Sequence, residues 1–289
     1  MQIKLLGPFI AQKGHHPLLP SAAKPRQVLA LLAIRAGGVV TVPTLMEEIW
    51  GDRPPRSAPT TLQTYILKLR RLLERALAQG GDAPHSSVDH HTGRTAPQGA
   101  KGVLVTRYGG YQLDVDPCTV DTQVFERLQS RGQKAFNDGD FATAATLLGQ
   151  ALALWRGPAL VDVKTGPVLD MDVLQLEEAR LAALESRITA DLCLGRHGQV
   201  LSELAVLVAQ HPLHEGLHAQ FMTAQYASGR GWQAFETYRR LHTALRTELG
   251  IEPGSRIQEL YASMLAGGAP PAVTPPDHPG PRAVLRSAV

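Results

Sequence analysis

A stripe of hydroxyl and basic side chains recurs at helical spacing in the front third of the chain. Its members follow one another at intervals of four, four, three and four residues: Thr60, Thr64, Lys68, Arg71 and Arg75. On a helix these intervals place all five side chains on one face. Hydroxyl groups can bind base edges and cations can bind phosphates, so the stripe indicates a nucleic-acid contact. Only Glu74 interrupts the basic part, whereas an ordinary solvated face, the competing interpretation, usually mixes both signs.

A second pattern could do different chemistry. His214-Glu215-Gly216-Leu217-His218 matches H-E-x-x-H, in which two histidines one helical turn apart hold Zn²⁺ and the glutamate acts as a base. Glu236 follows within reach as a third ligand. Gly216 weakens the helix that would carry the ligands, and so short a pattern also arises by chance. A zinc metallopeptidase therefore stays an alternative, as does a protein-interaction scaffold without a working nucleic-acid reader.

The elements around the stripe predict a helix-turn-helix. Leu62, Ile66, Leu69 and Leu73 form an apolar face on the same helix, which we expect over 57–78. A shorter helix over 43–50 precedes it and ends at Gly51. Prolines exclude a helix in the connecting segment over 52–56, which must be an exposed loop. Another helix, from about Pro25, ends at Gly37-Gly38.

A hairpin is predicted after the helix-turn-helix. Two short strands, at 103–106 and 111–115, flank Gly109-Gly110, with Arg107 at the tip. Residues 39–41 form a brief extended link, and a flexible insertion rich in Gly, Pro, Ser and His occupies 79–101. A basic helix followed by an arginine-bearing hairpin is the order of a winged helix.

Charge divides the chain into unlike halves. Residues 1–115 carry 14 Lys and Arg against 7 Asp and Glu, whereas residues 116–289 carry 15 against 19. The front half is therefore the part expected to meet a polyanion. No apolar run is long enough for a membrane span. Cys118 and Cys193 are expected to be small core residues in a reducing cytosol.

The rest of the chain is predicted to be helical up to about residue 265. Gly139, Gly195 and Gly229 mark turns, and the last two lie 34 residues apart, which is the tetratricopeptide period. Stacked helix pairs of this kind bury a shared core and present a concave surface. Core packing is the expected role of four large aromatic residues: Trp50, Trp155, Trp232 and Tyr238. Residues 267–289 are read as a disordered, proline-rich tail.

These segments together resemble a known family, the Streptomyces antibiotic regulatory proteins in their small two-domain form. The resemblance covers about residues 1–266, and its most specific segments are LLGPF (5–9), AAKPRQVLALLAIRAGGVVTVPTLMEEIWGDRPPRSAPTTLQTYILKLRRLLE (22–74), RYGGYQLDV (107–115), ALALWRGPALVDV (151–163) and AFETYRRLHTALRTELGIEP (234–253). It implies a mainly α fold: a winged helix-turn-helix of the OmpR type (α+β) over 1–115, then an all-α, tetratricopeptide-like bacterial transcriptional activator domain over 116–266. Larger relatives carry an ATPase module, but this chain lacks a G-x-x-x-x-G-K-[ST] loop.

The resemblance also implies roles for particular residues. The residues expected to contact DNA are Thr60, Thr61, Gln63, Thr64, Lys68, Arg70, Arg71, Arg75, Arg107, Gly109 and Tyr111. Those expected to touch RNA polymerase are Asp52, Arg53 and Arg56. Arg107 falls at the wing arginine that enters the minor groove.

The function implied is activation of an antibiotic biosynthetic gene cluster rather than an enzymatic reaction. Its expected partners are promoter DNA bearing direct repeats, a second protomer on that DNA, and RNA polymerase holoenzyme including its sigma factor. No metal or other cofactor is expected. A cytoplasmic, nucleoid-associated location is expected.

Overall fold

The computed structural model describes residues 1–79 and 99–267. The predicted insertion falls almost wholly outside these ranges, as does the predicted tail beyond residue 267, so both stay predictions. The chain divides into two compact units, here called the first and second units. The first comprises Met1–Leu128 and Gln150–Leu181, and the second comprises Gln129–Gly149 and Ala182–Val289 so far as these are described. The functional division at residue 115 is a separate prediction.

Eleven α-helices and six β-strands are found in the described ranges. The strands are β1 Gln2–Lys4, β2 Ile10–Lys13, β3 His16–Pro17, β4 Val39–Thr41, β5 Leu104–Arg107 and β6 Gly110–Leu113. The helices are α1 Ala23–Ile34, α2 Val42–Trp50, α3 Ala58–Gln79, α4 Ala100–Val103, α5 Asp121–Asn137, α6 Phe141–Leu152, α7 Pro167–Cys193, α8 His197–Gln210, α9 Glu215–Ala227, α10 Gly231–Glu248 and α11 Ser255–Leu265. The arrangement is mainly α, with the winged helix-turn-helix ahead of the helical array, as predicted.

The first unit contains two small antiparallel sheets, ordered β1-β2-β3 and β4-β6-β5. Residues 39–41, expected to be only a link, form strand β4, in which Val40 pairs with Tyr111 of β6. Strand β6 is therefore central, and β5 pairs along its other edge. The hairpin β5-β6 is the predicted wing, joined to the helices through β4.

The wing turn differs from the prediction by one residue. Strand β5 ends at Arg107 and β6 begins at Gly110, so the turn is Tyr108-Gly109 rather than Gly109-Gly110. Gly109 has a φ of +73°, which glycine adopts without strain. Gly110 has a different role, since a Cβ there would lie 2.3 Å from the Val40 carbonyl oxygen. The close approach of β4 explains why two glycines adjoin although only one makes the turn.

The core of the first unit holds the helix-turn-helix together. The predicted apolar face of α3 is confirmed, because Leu62, Ile66, Leu69 and Leu73 are all at most 4% exposed. They pack in one cluster with Leu45 of α2 and with apolar residues of α1 and of both sheets. Burial of this stripe determines which face of α3 is left for solvent.

A buried carboxylate fixes α2 against the beginning of α7. Glu48 is 2% exposed. Its Oε1 accepts from Gly166 N and Gln27 Nε2, each at 2.7 Å. Its Oε2 accepts from Val168 N at 3.0 Å and Leu169 N at 2.8 Å. The three backbone donors among these are otherwise unsatisfied amides at the N-terminus of α7, which a negative charge stabilises.

In the second unit, three helices each end in the same type of turn. At Gly229 the amide donates to Tyr226 O at 3.0 Å, and the next amide, Arg230 N, donates to Gln225 O at 2.9 Å. The same two bonds recur around Gly139 and Gly195, and all three glycines have φ between +74° and +80°. This pattern is the Schellman motif, in which a left-handed residue terminates the helix. The glycine repeat predicted from the sequence therefore marks a repeated structural turn.

One of the four large aromatic residues departs from the core role expected of it. Trp155 is buried, and Trp50 and Tyr238 are half-buried against apolar clusters, but Trp232 is 72% exposed. Phe141 stands two residues after Gly139, whereas Trp232 stands three residues after Gly229. One residue of a helix is a rotation of about 100°, so the tryptophan points away from the packed face.

The expectation of buried cysteines is wrong. Cys118 and Cys193 are both exposed and unpaired in the described structure. Cys118 lies in the 3-10 turn Pro117–Thr119, and Cys193 is the last residue of α7. A short turn and a helix end both leave side chains open to solvent.

Candidate nucleic-acid interface

The exposed face of α3 is mostly polar and basic. Opposite the buried leucines and isoleucine lie six exposed side chains: Thr60, Gln63, Thr64, Lys68, Arg71 and Arg75. Thr61 lies at the edge of this surface and is half-buried. The Thr64 hydroxyl donates to Thr60 O at 3.0 Å, which leaves its oxygen lone pairs facing outward as acceptors. The structure thus brings the predicted helix residues together on one side, and Glu74 is the acidic residue among them.

An apolar residue that the polar pattern missed lies within this surface. Leu67 is 48% exposed, and it stands one helical turn after Gln63 and one before Arg71. A single exposed leucine is ordinary on a protein surface, but this one adds an apolar group to a face that is otherwise polar and basic. The signal was available in the sequence, because Leu67 does not share the spacing of the buried leucines.

Arg70 is placed differently from the other basic residues of α3. Its Nε and Nη2 donate to Leu104 O at 3.1 and 2.9 Å, and Nη2 also donates to Thr106 Oγ1 at 2.8 Å. Both acceptors belong to strand β5 of the wing. The guanidinium therefore joins the helix to the wing and holds the two at a defined separation.

The residues of the wing differ in their exposure to solvent. Arg107 is exposed, but its Nε donates to Gln112 Oε1 at 2.6 Å, and Gln112 Nε2 donates to Gly37 O at 2.7 Å. Tyr108, at the turn, is fully exposed and was not predicted as a contact. Gly109 is exposed beside it, whereas Tyr111 is half-buried and packs against the core of the first unit.

The segment between α2 and α3 is an exposed loop, as its prolines predicted. Gly51 ends α2 with a φ of +59°, and Ala58 N donates to Pro55 O at 2.9 Å near the beginning of α3. Asp52, Arg53 and Arg56 are all exposed. Within residues 1–79 and 99–267 their side chains form no hydrogen bond or ion pair, which leaves both charge signs available to a partner.

The H-E-x-x-H residues have structural partners in the second unit. His214 is the N-cap of α9, where Nδ1 accepts from Leu217 N at 3.3 Å and Nε2 lies 3.3 Å from Glu185 Oε1. Glu215 Oε2 accepts from Gly254 N at 2.8 Å. His218 is buried and its Nδ1 lies 3.1 Å from His214 O. No group of three His, Cys, Asp or Glu side chains suited to a metal occurs in the described ranges.

Among the helices of residues 1–79 and 99–267, none combines the length with the apolar character that a membrane crossing requires.

Two family profiles match the chain. Residues 18–82 match the C-terminal domain of transcriptional regulatory proteins, and residues 120–265 match the bacterial transcriptional activator domain. The first match contains α1, α2 and α3, and the second begins just before α5 and ends with α11. The profiles therefore agree with the predicted order of a DNA-binding type of domain followed by an activator domain.

Individual relatives agree with the profiles. The regulatory protein DnrI of Streptomyces peucetius is 49% identical over 265 residues, which are 92% of each chain. The transcriptional regulator RedD of Streptomyces coelicolor is 35% identical over 92% of this chain and 71% of its own length. The solved structure of Mycobacterium tuberculosis EmbR, in complex with a low-affinity phosphopeptide, matches with a TM-score of 0.81 at 30% identity. That match covers 94% of this chain and 66% of the EmbR chain, and it confirms the predicted fold class.

The collinear match to DnrI extends through both domains. The chain therefore belongs to the Streptomyces antibiotic regulatory proteins, in their small two-domain form, and is a transcriptional activator of that family.

Proposed function

We propose that the chain binds promoter DNA with α3 in the major groove and the wing beside it. The observation that carries this proposal is the two-faced character of α3: its apolar stripe is buried, and its other side is mostly polar and basic. An α-helix fits the major groove, where each base pair presents its own pattern of donors and acceptors. The excess of basic residues in 1–115 supports the same assignment.

Different parts of the exposed face have different proposed roles. Thr60, Gln63 and Thr64 lie in the first two turns of α3 and can bind base edges, with Gln63 suited to adenine. Lys68 can reach either a base or a phosphate. Arg71 and Arg75 follow toward the C-terminal half and are proposed to bind phosphates. Leu67, between the two groups, is exposed and suited to contact a thymine methyl group.

The wing is proposed to reach the neighbouring minor groove. Arg107 can enter it by exchanging its bond to Gln112 for acceptors on the DNA, and Tyr108 lies fully exposed beside it. Gly109 allows close approach of the backbone. Tyr111 supports the hairpin from the core side rather than reaching DNA itself. Arg70 maintains the spacing between α3 and the wing through its bonds to β5, with one amino group still open to a phosphate.

Activation is proposed to follow from a second contact. The loop residues Asp52, Arg53 and Arg56 would meet RNA polymerase holoenzyme, through its sigma factor or another subunit. Two protomers would bind head to tail on direct repeats about 10–11 base pairs apart, one helical turn of DNA. Residues 116–266 would bring protomers or polymerase together. The regulated genes are proposed to be an antibiotic biosynthetic cluster, as for regulators of this family.

DNA binding is tested by selecting bound sequences from a random duplex pool and footprinting the recovered site. The wild type should recover a directly repeated motif. Lys68→Ala should weaken binding to that site by about ten-fold or more, because a bidentate base contact contributes about 1–3 kcal/mol. Lys134→Ala is the matched control, since Lys134 lies on α5, is 77% exposed and pairs with Asp138, just after that helix. Recovery of no motif, or equal losses in the two variants, would contradict the assignment.

The polymerase contact is tested separately from DNA binding. Arg53→Ala and Arg56→Ala should leave the affinity for the selected site within about two-fold, since rim charges contribute little. Both should reduce activated transcription in a purified system with holoenzyme. Full activation by the double variant would exclude the loop from this role.

A further inference from the structure

A large cavity opens among three helices of the second unit. Its volume is about 700 Å³, and its walls are α8, α9 and α10. Cavities of about 300–1,000 Å³ between helices are the usual size of small-molecule sites. None of the individual residues proposed to contact DNA or polymerase lines this cavity.

The walls of the cavity differ in chemistry. The α8 side is apolar and small, with Ala205, Val208 and Ala209 among its residues. Phe221 of α9 and the exposed Trp232 of α10 add two aromatic surfaces. This combination of small aliphatic and aromatic groups accommodates a flat apolar ring system.

Two buried polar side chains on α9 point to a ligand. His218 is 5% exposed, and its Nδ1 lies 3.1 Å from the His214 carbonyl oxygen, which can only accept. Nδ1 therefore carries the proton, and Nε2 is left as an acceptor. Gln225 is 6% exposed and its Oε1 accepts from Thr237 Oγ1 at 3.0 Å, so its Nε2 donors are left over. Neither nitrogen has a hydrogen-bond partner in residues 1–79 or 99–267.

The charges at the cavity favour an acidic ligand. Arg240 pairs with Glu236 at 3.2 Å, whereas Arg230 has no acidic partner within the described chain. The lining thus carries one cation in excess. All three walls are helices with internally bonded backbones, so they offer no strand edge to an extended peptide.

We propose that this cavity binds a small aromatic organic acid, with its ring between the α8 wall and Trp232 and its polar groups on His218, Gln225 and Arg230. The site lies wholly within the second unit and does not depend on DNA reading. A ligand there contacts three consecutive helices and would stabilise the second unit against unfolding.

The test adds 1-anilinonaphthalene-8-sulfonate to the full chain. This probe carries a fused ring, an N–H donor and an anionic group. Saturable binding should appear as fluorescence enhancement at one site, with a raised thermal midpoint, since a ligand of the native state stabilises it. Energy transfer from protein to probe should fall in Trp232→Phe and persist in Trp50→Phe. A lowered thermal midpoint on probe binding would indicate binding to a loosened state and would overturn the proposal.

A matched pair of blocking variants locates the probe. Ala205 and Val206 are exposed neighbours on α8, but only Ala205 lines the cavity. Ala205→Trp should weaken probe binding by about ten-fold or more, because a filled cavity loses its contact area, and Val206→Trp should leave it within about two-fold. Equal affinities in the two variants would overturn the proposal. So would a wild type without saturable binding, which would instead favour a partner helix in the groove.

Discussion

Replacing Glu48 with glutamine should strongly destabilise the first unit, although the two side chains have almost the same shape. Each carboxylate oxygen accepts two hydrogen bonds, and three of the four donors are backbone amides of residues 166–169. In glutamine, an amide nitrogen replaces one oxygen and faces two N–H groups without accepting from either. A hydrogen bond to a charged group contributes about 1.5–3 kcal/mol, so losing two costs about 3–6 kcal/mol. That is a large share of a typical folding free energy of about 5–15 kcal/mol.

Urea denaturation measures this cost against a neighbouring control. Glu47 is exposed on the same helix, so Glu47→Gln should change the free energy of unfolding by no more than about 0.5 kcal/mol. The Glu48→Gln midpoint should fall by more than about 1 M urea, taking a slope of about 1–3 kcal/mol per molar. Equal midpoints for the two variants would refute the reasoning, since the carboxylate would then not hold α7 to α2.

Three further changes test other parts of the structure. Gly110→Ala should disrupt the β4-β6 pairing, because the new Cβ would lie 2.3 Å from the Val40 carbonyl oxygen, whereas Gly109→Asn should fold normally, because a Cβ there has no heavy atom within 4 Å. Thermal unfolding compares the two variants, and equal midpoints would contradict the prediction. Burial lowers the pKa of His218, and the hydrogen bond to the His214 backbone opposes this less strongly, so the stability that His218 contributes is present above the usual pKa of 6.5 and declines as the pH falls through and below that value. The free energy of unfolding should therefore fall less steeply between pH 7 and 5 in His218→Gln than in the wild type, and parallel curves would contradict this. Arg70→Lys should speed hydrogen exchange in β5, because a lysine cannot reproduce the three bonds of the guanidinium, and unchanged exchange would exclude the anchoring role.

The fold was largely predictable where periodicity was strong. The burial of Leu62, Ile66, Leu69 and Leu73 followed directly from their spacing, and the repeated glycines marked helix ends. The pairing of β4 with β6 was not predictable, because a segment of three extended residues does not indicate which strand it will pair with. Trp232 shows a related limit, since an aromatic shifted by one residue still resembles a repeat although it faces another direction.

The candidate site was predictable in composition rather than in orientation. The spacing of the α3 residues placed them on one face, but it could not show that Arg70 turns toward the wing or that Arg107 bonds to Gln112. The direction of Arg70 depends on acceptors in β5 that lie more than thirty residues away along the chain. The direction of Arg107 depends on how β5 pairs with β6. Leu67 was not predicted as a contact because the predicted pattern consisted of polar and basic residues, whereas a thymine methyl group is an apolar feature of the major groove.

The most direct test of the central claim is the salt dependence of binding to the selected DNA site. If α3 lies in the major groove with Arg71 and Arg75 on phosphates, the logarithm of the affinity should fall linearly with the logarithm of salt concentration, by about 0.9 per phosphate contact. Arg71→Ala and Arg75→Ala should each make that slope shallower by about 0.9, while Lys134→Ala should leave it unchanged. Slopes that are identical in all four proteins would contradict the claim that this face of α3 meets DNA.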